Sequence, residues 1–196
     1  MKLIINLNKY NNEIFRKRFS YNANHRFGFV LWYSTPSSKI TKYVNGGVSR
    51  RIRFMLCRRI FKYCGKNVNI EKGACFGSGR LVELGDNSGL GINSMVPSDI
   101  CIGKDVMMGA NCYILSQNHK IDDLSIPMNR QGFVTKGRTI IEDDVWIGRD
   151  VTFTPGRHVA KGSVIGACCL LCKDFPEYSI IGGNPSKLIR SRLPKK

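Results

Sequence analysis

Apolar residues recur every sixth position through most of the chain, and few folds tolerate such a period. Counting by sixes from Leu84 meets Leu84, Leu90, Val96, Ile102, Met108 and Ile114; counting from Ile141 meets Ile141, Ile147, Phe153, Val159, Ile165 and Leu171. In a chain that is 42% apolar, twelve hits in two registers arise by chance on the order of 10⁻⁵ times. Ile70, Phe76 and Val82 carry the count backwards, with a slip of two residues before Leu84. Six fits neither the 3.6-residue period of a helix nor the two-residue alternation of a flat strand. It suits a coil with a strand on each face and a turn at each corner, about 18 residues per coil. The residue after the apolar one is small at Gly85, Gly91, Gly103, Gly109, Gly148, Ala160 and Gly166. Four places after it stand Ser88, Ser94, Val106, Cys112, Val145, Val151, Ser163 and Cys169, sized for the inside of a tight turn. Cys112 and Cys169 are thus expected to pack rather than react.

The count stops after Ile114 and resumes at Ile141, so residues 120–139 form a loop thrown out of the coil. His119, in "SQNHKID", stands where that loop leaves. Insertions in solenoids collect on the binding face, and an imidazole there can take a proton from a hydroxyl near neutral pH. Asp122, Asp123 or a backbone carbonyl can fix its tautomer. His25, in the basic front segment, and His158, in the turn "PGRHV", are expected to be structural or solvated. Eight cysteines without an export signal read as free thiols. Cys169 and Cys172 form a lone CxxC, short of the four ligands a structural zinc needs.

The formal net charge of +17 sits at the ends of the chain. Residues 1–66 hold 15 Lys/Arg against the single acid Glu13; residues 67–186 hold 11 basic and 13 acidic residues. Within the basic segment, "SRRIRFMLCRRIFKYCG" reads as an amphipathic helix capped by Ser49 and stopped by Gly65. Ile52, Met55, Leu56, Ile60 and Tyr63 are expected on its buried side, with Arg50, Arg51, Arg53, Arg58 and Lys62 mostly outside. Such a helix can cap the open end of a solenoid or lie on an anionic membrane surface. Nucleic-acid binding is not expected, because no recognition motif accompanies the charge. No apolar run is long enough to span a bilayer, and the Met-Lys start lacks a secretory core; the expectation is a cytoplasmic protein.

Three stretches carry a family resemblance: "GLGINSMVPSDICIGKDVMMGANCYILSQNHKID", "IIEDDVWIGRDVTFTPG" and "GSVIGACCLLCKDFPEYSIIGGNPSKLIR". Over about residues 66–192 the chain resembles the hexapeptide-repeat acyltransferases, most closely the branch of maltose, galactoside and capsular-polysaccharide O-acetyltransferases. The resemblance implies an all-β fold, a left-handed parallel β-helix at residues 67–185. A basic helical capping segment at 1–66 would precede it, and a basic C-terminal helix or tail at 186–196 would follow. It implies transfer of an acetyl group from acetyl-CoA to a saccharide hydroxyl, in capsule or surface-polysaccharide assembly, by a homotrimer that needs no metal. His119 matches the catalytic base. Asn93 and Asp99, or Ser98 in its place, match residues that reach the acceptor, and Trp146 matches a wall of the site. Arg149, Ala167, Cys172, Lys173, Lys187 and Arg190 match positions along the CoA path, with Arg149 standing where a small polar residue is usual and Cys172 where Thr is usual. Other acceptors compatible with the resemblance are serine, an antibiotic or a sugar-nucleotide amine. The rival from outside enzymology is a non-catalytic β-helix scaffold. The zinc carbonic anhydrases of the same fold need a metal-binding histidine set, and the body of this chain offers His119 and His158.

Overall fold

A computed structural model describes residues 47–134 and 137–194; His25 lies outside them. Seventeen short strands and one α-helix are seen among the described residues. After helix α1 (Gly47–Ile60), the strands run β1 (Tyr63–Cys64), β2 (Asn69–Ile70), β3 (Glu83–Leu84), β4 (Gly89–Leu90), β5 (Cys101–Ile102), β6 (Met107–Met108) and β7 (Tyr113–Ile114). A loop bearing β8 (Asn118–His119) and β9 (Phe133–Val134) follows. The coil resumes with β10 (Ile140–Ile141), β11 (Trp146–Ile147), β12 (Thr152–Phe153), β13 (His158–Val159), β14 (Val164–Ile165) and β15 (Leu170–Leu171), and ends with β16 (Ser179–Gly182) and β17 (Lys187–Ser191).

The strands stack in parallel on three faces of about six coils. The first face is β1-β3-β5-β10-β13; the second is β2-β4 followed by β6-β11-β14-β16; the third is β7-β12-β15, extended by bridges at Cys75 and Met95. Partners lie 18 residues apart, as Glu83 and Cys101 do, except at three places, one of them a step of 16 in the last coil between Val164 and Ile180. Between Tyr63 and Glu83 the step is 20, because the turn after Phe76 holds the two extra residues. Between Cys101 and Ile140 it is 39, because the loop intervenes. Eleven of the twelve sixth-position residues are buried and Met108 is half-buried. All eight of the small turn residues, Cys112 and Cys169 included, are buried. Burial pushes both of these thiols up in pKa.

The corners require a left-handed backbone, which L residues other than Gly, Asn and Asp rarely adopt. Asn67, Asn87, Asp105 and Asp144 have positive φ at the corner between the first and second faces; Asn93, Asn111 and Asp150 do at the next. Their side chains form ladders up the prism. Asn67 Nδ2 donates to Asn87 Oδ1 at 3.1 Å, and Asn87 Nδ2 to Asp105 Oδ1 at 2.9 Å. On the second corner Asn93 Nδ2 donates to Asn111 Oδ1 at 3.4 Å, and Asn111 Nδ2 to Asp150 Oδ1 at 2.9 Å.

Three expectations need correction. Helix α1 is turned relative to its expected orientation: Ile52 and Met55 are exposed, while Arg53, Cys57 and Phe61 are buried. The Arg53 Nε donates to the Ile70 carbonyl, so the guanidinium caps a backbone acceptor on the first coil, a use that apolar patterning does not reveal. Phe61 meets Phe76 edge-on at 4.8 Å, and burial pushes the Cys57 thiol up to about 12. The coil begins at Tyr63, four residues before the expected boundary. Residues 187–191 are neither helix nor tail. After a turn through the cis Asn184–Pro185 bond, β17 returns antiparallel along β16, whose edge would otherwise leave its N–H and C=O groups unpaired.

Candidate functional site

Leu115 still bonds along the third face, its N–H to the Phe153 carbonyl at 3.1 Å; beyond it the chain leaves the coil. β8 and β9 pair antiparallel, placing His119 opposite Phe133, and the Lys120 N–H donates to the Gly132 carbonyl at 3.1 Å. His119 is exposed on this stem, its ring tilted 35° over that of Phe133 at 4.5 Å between centroids. Gln131 holds the loop tip: its amide donates to the carbonyls of Asp123 at 2.7 Å and Ile126 at 3.0 Å, and accepts from the Asp123 N–H at 3.1 Å.

Asp123 bonds within the loop tip. Its Oδ1 accepts from the Ser125 hydroxyl at 2.6 Å and the Ser125 N–H at 2.8 Å, and these bonds hold its carboxyl below the usual range. The return leg is pinned by Arg138. Its guanidinium donates to the Asp99 carbonyl and, at 3.2 Å each, to those of Leu81 and Ile100, and pairs with Glu83 at 3.1 Å. Lys62 also reaches Glu83, at 2.9 Å. Arg138 therefore links the loop, the Asp99 turn and the first face. Sequence reasoning missed it, because a bond spanning 39 residues leaves no local pattern.

The candidate residues fall into two groups on one chain. Asp99, His119, Cys172 and Lys173 lie at or near the corner between the third and first faces. Cys172 Sγ lies 3.4 Å from the Ser186 hydroxyl, whose contact lowers the thiol pKa, and Lys173 Nζ sits 5.5 Å above the Phe175 ring. The second group lies on the second face and its far corner. Trp146 points outward between Met107 and Val164, 54% exposed. Arg149 pairs with Asp150 at 2.8 Å, and Asn93 stands in the ladder above Gly73. Ala167 packs at the same corner, its backbone N 2.6 Å from where a Cβ on Gly148 would fall. Lys187 and Arg190 are exposed on β17. In a triangular coil the second face lies opposite the corner that carries His119, so Trp146 stands across the prism from His119, while the turn at Ser186 brings the start of β17 beside Cys172.

His158 is engaged elsewhere. Its Nε2 lies 2.7 Å from Glu142 Oε1 and its backbone N–H donates to Asp174 Oδ1 at 3.0 Å, on the first face. Among the described residues no cluster of three or more His, Cys, Asp or Glu is spaced to hold a metal ion, and no disulfide forms.

A three-faced parallel solenoid built on a six-residue period defines a class, the hexapeptide-repeat proteins. No family-level sequence model matches the chain. It is 32% identical over 140 residues to YJL218W of Saccharomyces cerevisiae, provisionally named an acetyltransferase, and the match covers 70% of each protein. The chain belongs to the hexapeptide-repeat acetyltransferase family, and its solenoid is the left-handed parallel β-helix of its structural neighbours. It is also 34% identical over 113 residues to the probable acetyltransferase Rv3034c of Mycobacterium tuberculosis, a match spanning only 37% of that protein's length. The maltose O-acetyltransferase of Clostridium difficile 630 superposes with a TM-score of 0.70 at 25% identity, over 94% of this chain and 91% of that one. A galactoside acetyltransferase in complex with coenzyme A shares the fold, with a TM-score of 0.68 at 22% identity over 86% of this chain and 78% of that one.

Proposed function

We propose that the protein transfers the acetyl group of acetyl-CoA to a saccharide hydroxyl, with His119 as general base. The observation that carries this reading is the exposed His119 ring on the loop stem, stacked on Phe133; family membership supports the donor. The imidazole takes the hydroxyl proton as the oxygen attacks the thioester carbonyl. The C–S bond breaks, the proton passes to the departing sulfur, and an acetyl ester and free CoA result. The scheme requires neither a metal nor a covalent enzyme intermediate. Lys173, Lys187 and Arg190 would meet the phosphates of CoA, Arg149, Ala167 and Cys172 its pantetheine arm, and Trp146 would wall the site. Asn93 and Asp99 offer the donors and acceptors that a polyhydroxyl ligand needs.

Since Trp146 and His119 occupy opposite sides of one prism, the site would be completed between copies, in a homotrimer. We place it in the cytoplasm, at the inner face of an anionic membrane, serving capsule or surface-polysaccharide assembly. Thiol release from acetyl-CoA, measured against a panel of sugars and amines, tests the reading. We expect turnover with a saccharide, and a fall of at least about 10²-fold in His119→Ala. Success with amines alone would make the reaction N-acetylation, and unchanged function in His119→Ala would leave a scaffold.

A further inference from the structure

The exposed face of α1 has a composition that capping the coil does not explain. Its inward side is complete, with Arg53, Cys57 and Phe61 buried and Phe54, Leu56 and Ile60 half-buried. The outer side carries Ile52, 44% exposed, and Met55, 58% exposed, among exposed Arg51, Arg58 and Arg59. The helix contains no acid, and none of these three arginines is ion-paired among the described residues. Nearby Arg50 is spent on Asn67 at 3.1 Å and Lys62 on Glu83 at 2.9 Å. Arg53 turns inward although it lies between Ile52 and Met55, so the apolar pair faces outward.

We infer that this face docks on an anionic lipid surface, with Ile52 and Met55 entering the headgroup boundary and Arg51, Arg58 and Arg59 lying on the phosphates. Charge complementarity decides among occupants. Residues 1–46 carry eight Lys/Arg against one acid, so they would meet the face with like charge, as would the same face of a second copy. A nucleic acid would satisfy the arginines and leave the exposed aliphatic side chains unused, whereas an interfacial helix uses both. The inference rests on α1 alone and not on the acetyl-transfer reading.

The test is co-sedimentation of the full chain with vesicles of phosphatidylcholine alone and with about 30% phosphatidylserine, in low and high salt, with a 20-bp RNA duplex in parallel. The protein is expected on the anionic vesicles only, and to leave them as salt rises. Combining Arg51→Gln, Arg58→Gln and Arg59→Gln should weaken binding on the order of a hundredfold, and combining Ile52→Ser with Met55→Ser roughly tenfold. All five side chains are exposed, so thermal melting should match the parent. The lipid and salt arms on the unaltered protein stand without the variants. Absence of binding to anionic vesicles at low salt overturns the inference. Undiminished binding in either variant also does, by moving the contact to other residues, and so does a preference for the duplex that survives loss of Ile52 and Met55. None of these readouts depends on acetyl transfer, so failure here leaves the proposed reaction standing.

Discussion

Ser88 and Ser94 occupy equivalent positions inside successive turns, yet their hydroxyls fare differently. Ser88 Oγ donates to the Gly103 carbonyl at 2.6 Å and accepts from the Val106 N–H at 3.0 Å, stitching one coil to the next. Ser94 Oγ is buried without a protein partner among the described residues. Removing a bonded hydroxyl strands the groups it served, at about 1–3 kcal/mol, whereas removing an unbonded one costs little. Ser88→Ala should therefore lower the denaturation midpoint while Ser94→Ala leaves it level or higher. At Gly91 a Cβ would overlap the Gly109 carbonyl oxygen in the coil above, so Gly91→Ala should cost at least about 1–3 kcal/mol through overpacking. Glu83 gives a pH signature. The Lys62 and Arg138 bonds hold its carboxyl below the usual range, so its contribution is present above the unfolded carboxylate pKa and fades as pH falls through the lower folded value. Glu83→Gln should be less stable at neutral pH, by under about 1 kcal/mol for so exposed a network, and equal to the parent once acid has protonated Glu83.

At the scale of elements, the loop and the helix each depend on one arginine. Arg138 reaches three carbonyls and Glu83 from the base of the return leg. Arg138→Ala should loosen the stem that presents His119. If it acts by positioning, kcat should fall about tenfold or more, KM for acetyl-CoA should stay level, and Arg138→Lys should restore little, since an ammonium lacks the planar fork. The turn around Ser186 is a second such element, because its hydroxyl lowers the Cys172 thiol pKa while burial raises that of Cys57 to about 12. Iodoacetamide at mildly alkaline pH should label Cys172 and spare Cys57 until the chain unfolds. Protection of Cys172 by acetyl-CoA would place it on the donor path; labelling indifferent to acetyl-CoA would remove it.

Across the whole molecule, the outward rows leave Met107, Trp146, Met95 and Tyr113 exposed on the second and third faces. A homotrimer would cover part of this surface and bring the second face of one chain to the His119 corner of another. Light scattering is expected to return three times the chain mass. Met107→Glu, which puts a charge beside Trp146, should dissociate the assembly and abolish transfer together. A fully active monomer would sink the shared-site reading.

The coil was legible in the sequence because its period is a packing rule: every sixth side chain enters one narrow core, so twelve positions announced the inward rows and the gap after Ile114 announced the loop. The place of His119, where the period fails, was legible for the same reason, whereas the role expected of it came from the resemblance of "SQNHKID". The side of α1 that faces the coil was not. Burying Arg53 became favourable only once the Ile70 carbonyl stood within reach, a bond that no apolar count contains. The strand at 187–191 and the Arg138 anchor were equally hidden, because each answers backbone groups brought close by the stacked coils. Local chemistry and spacing carried the repeat, whereas the partners of isolated polar groups were decided by residues distant in the chain.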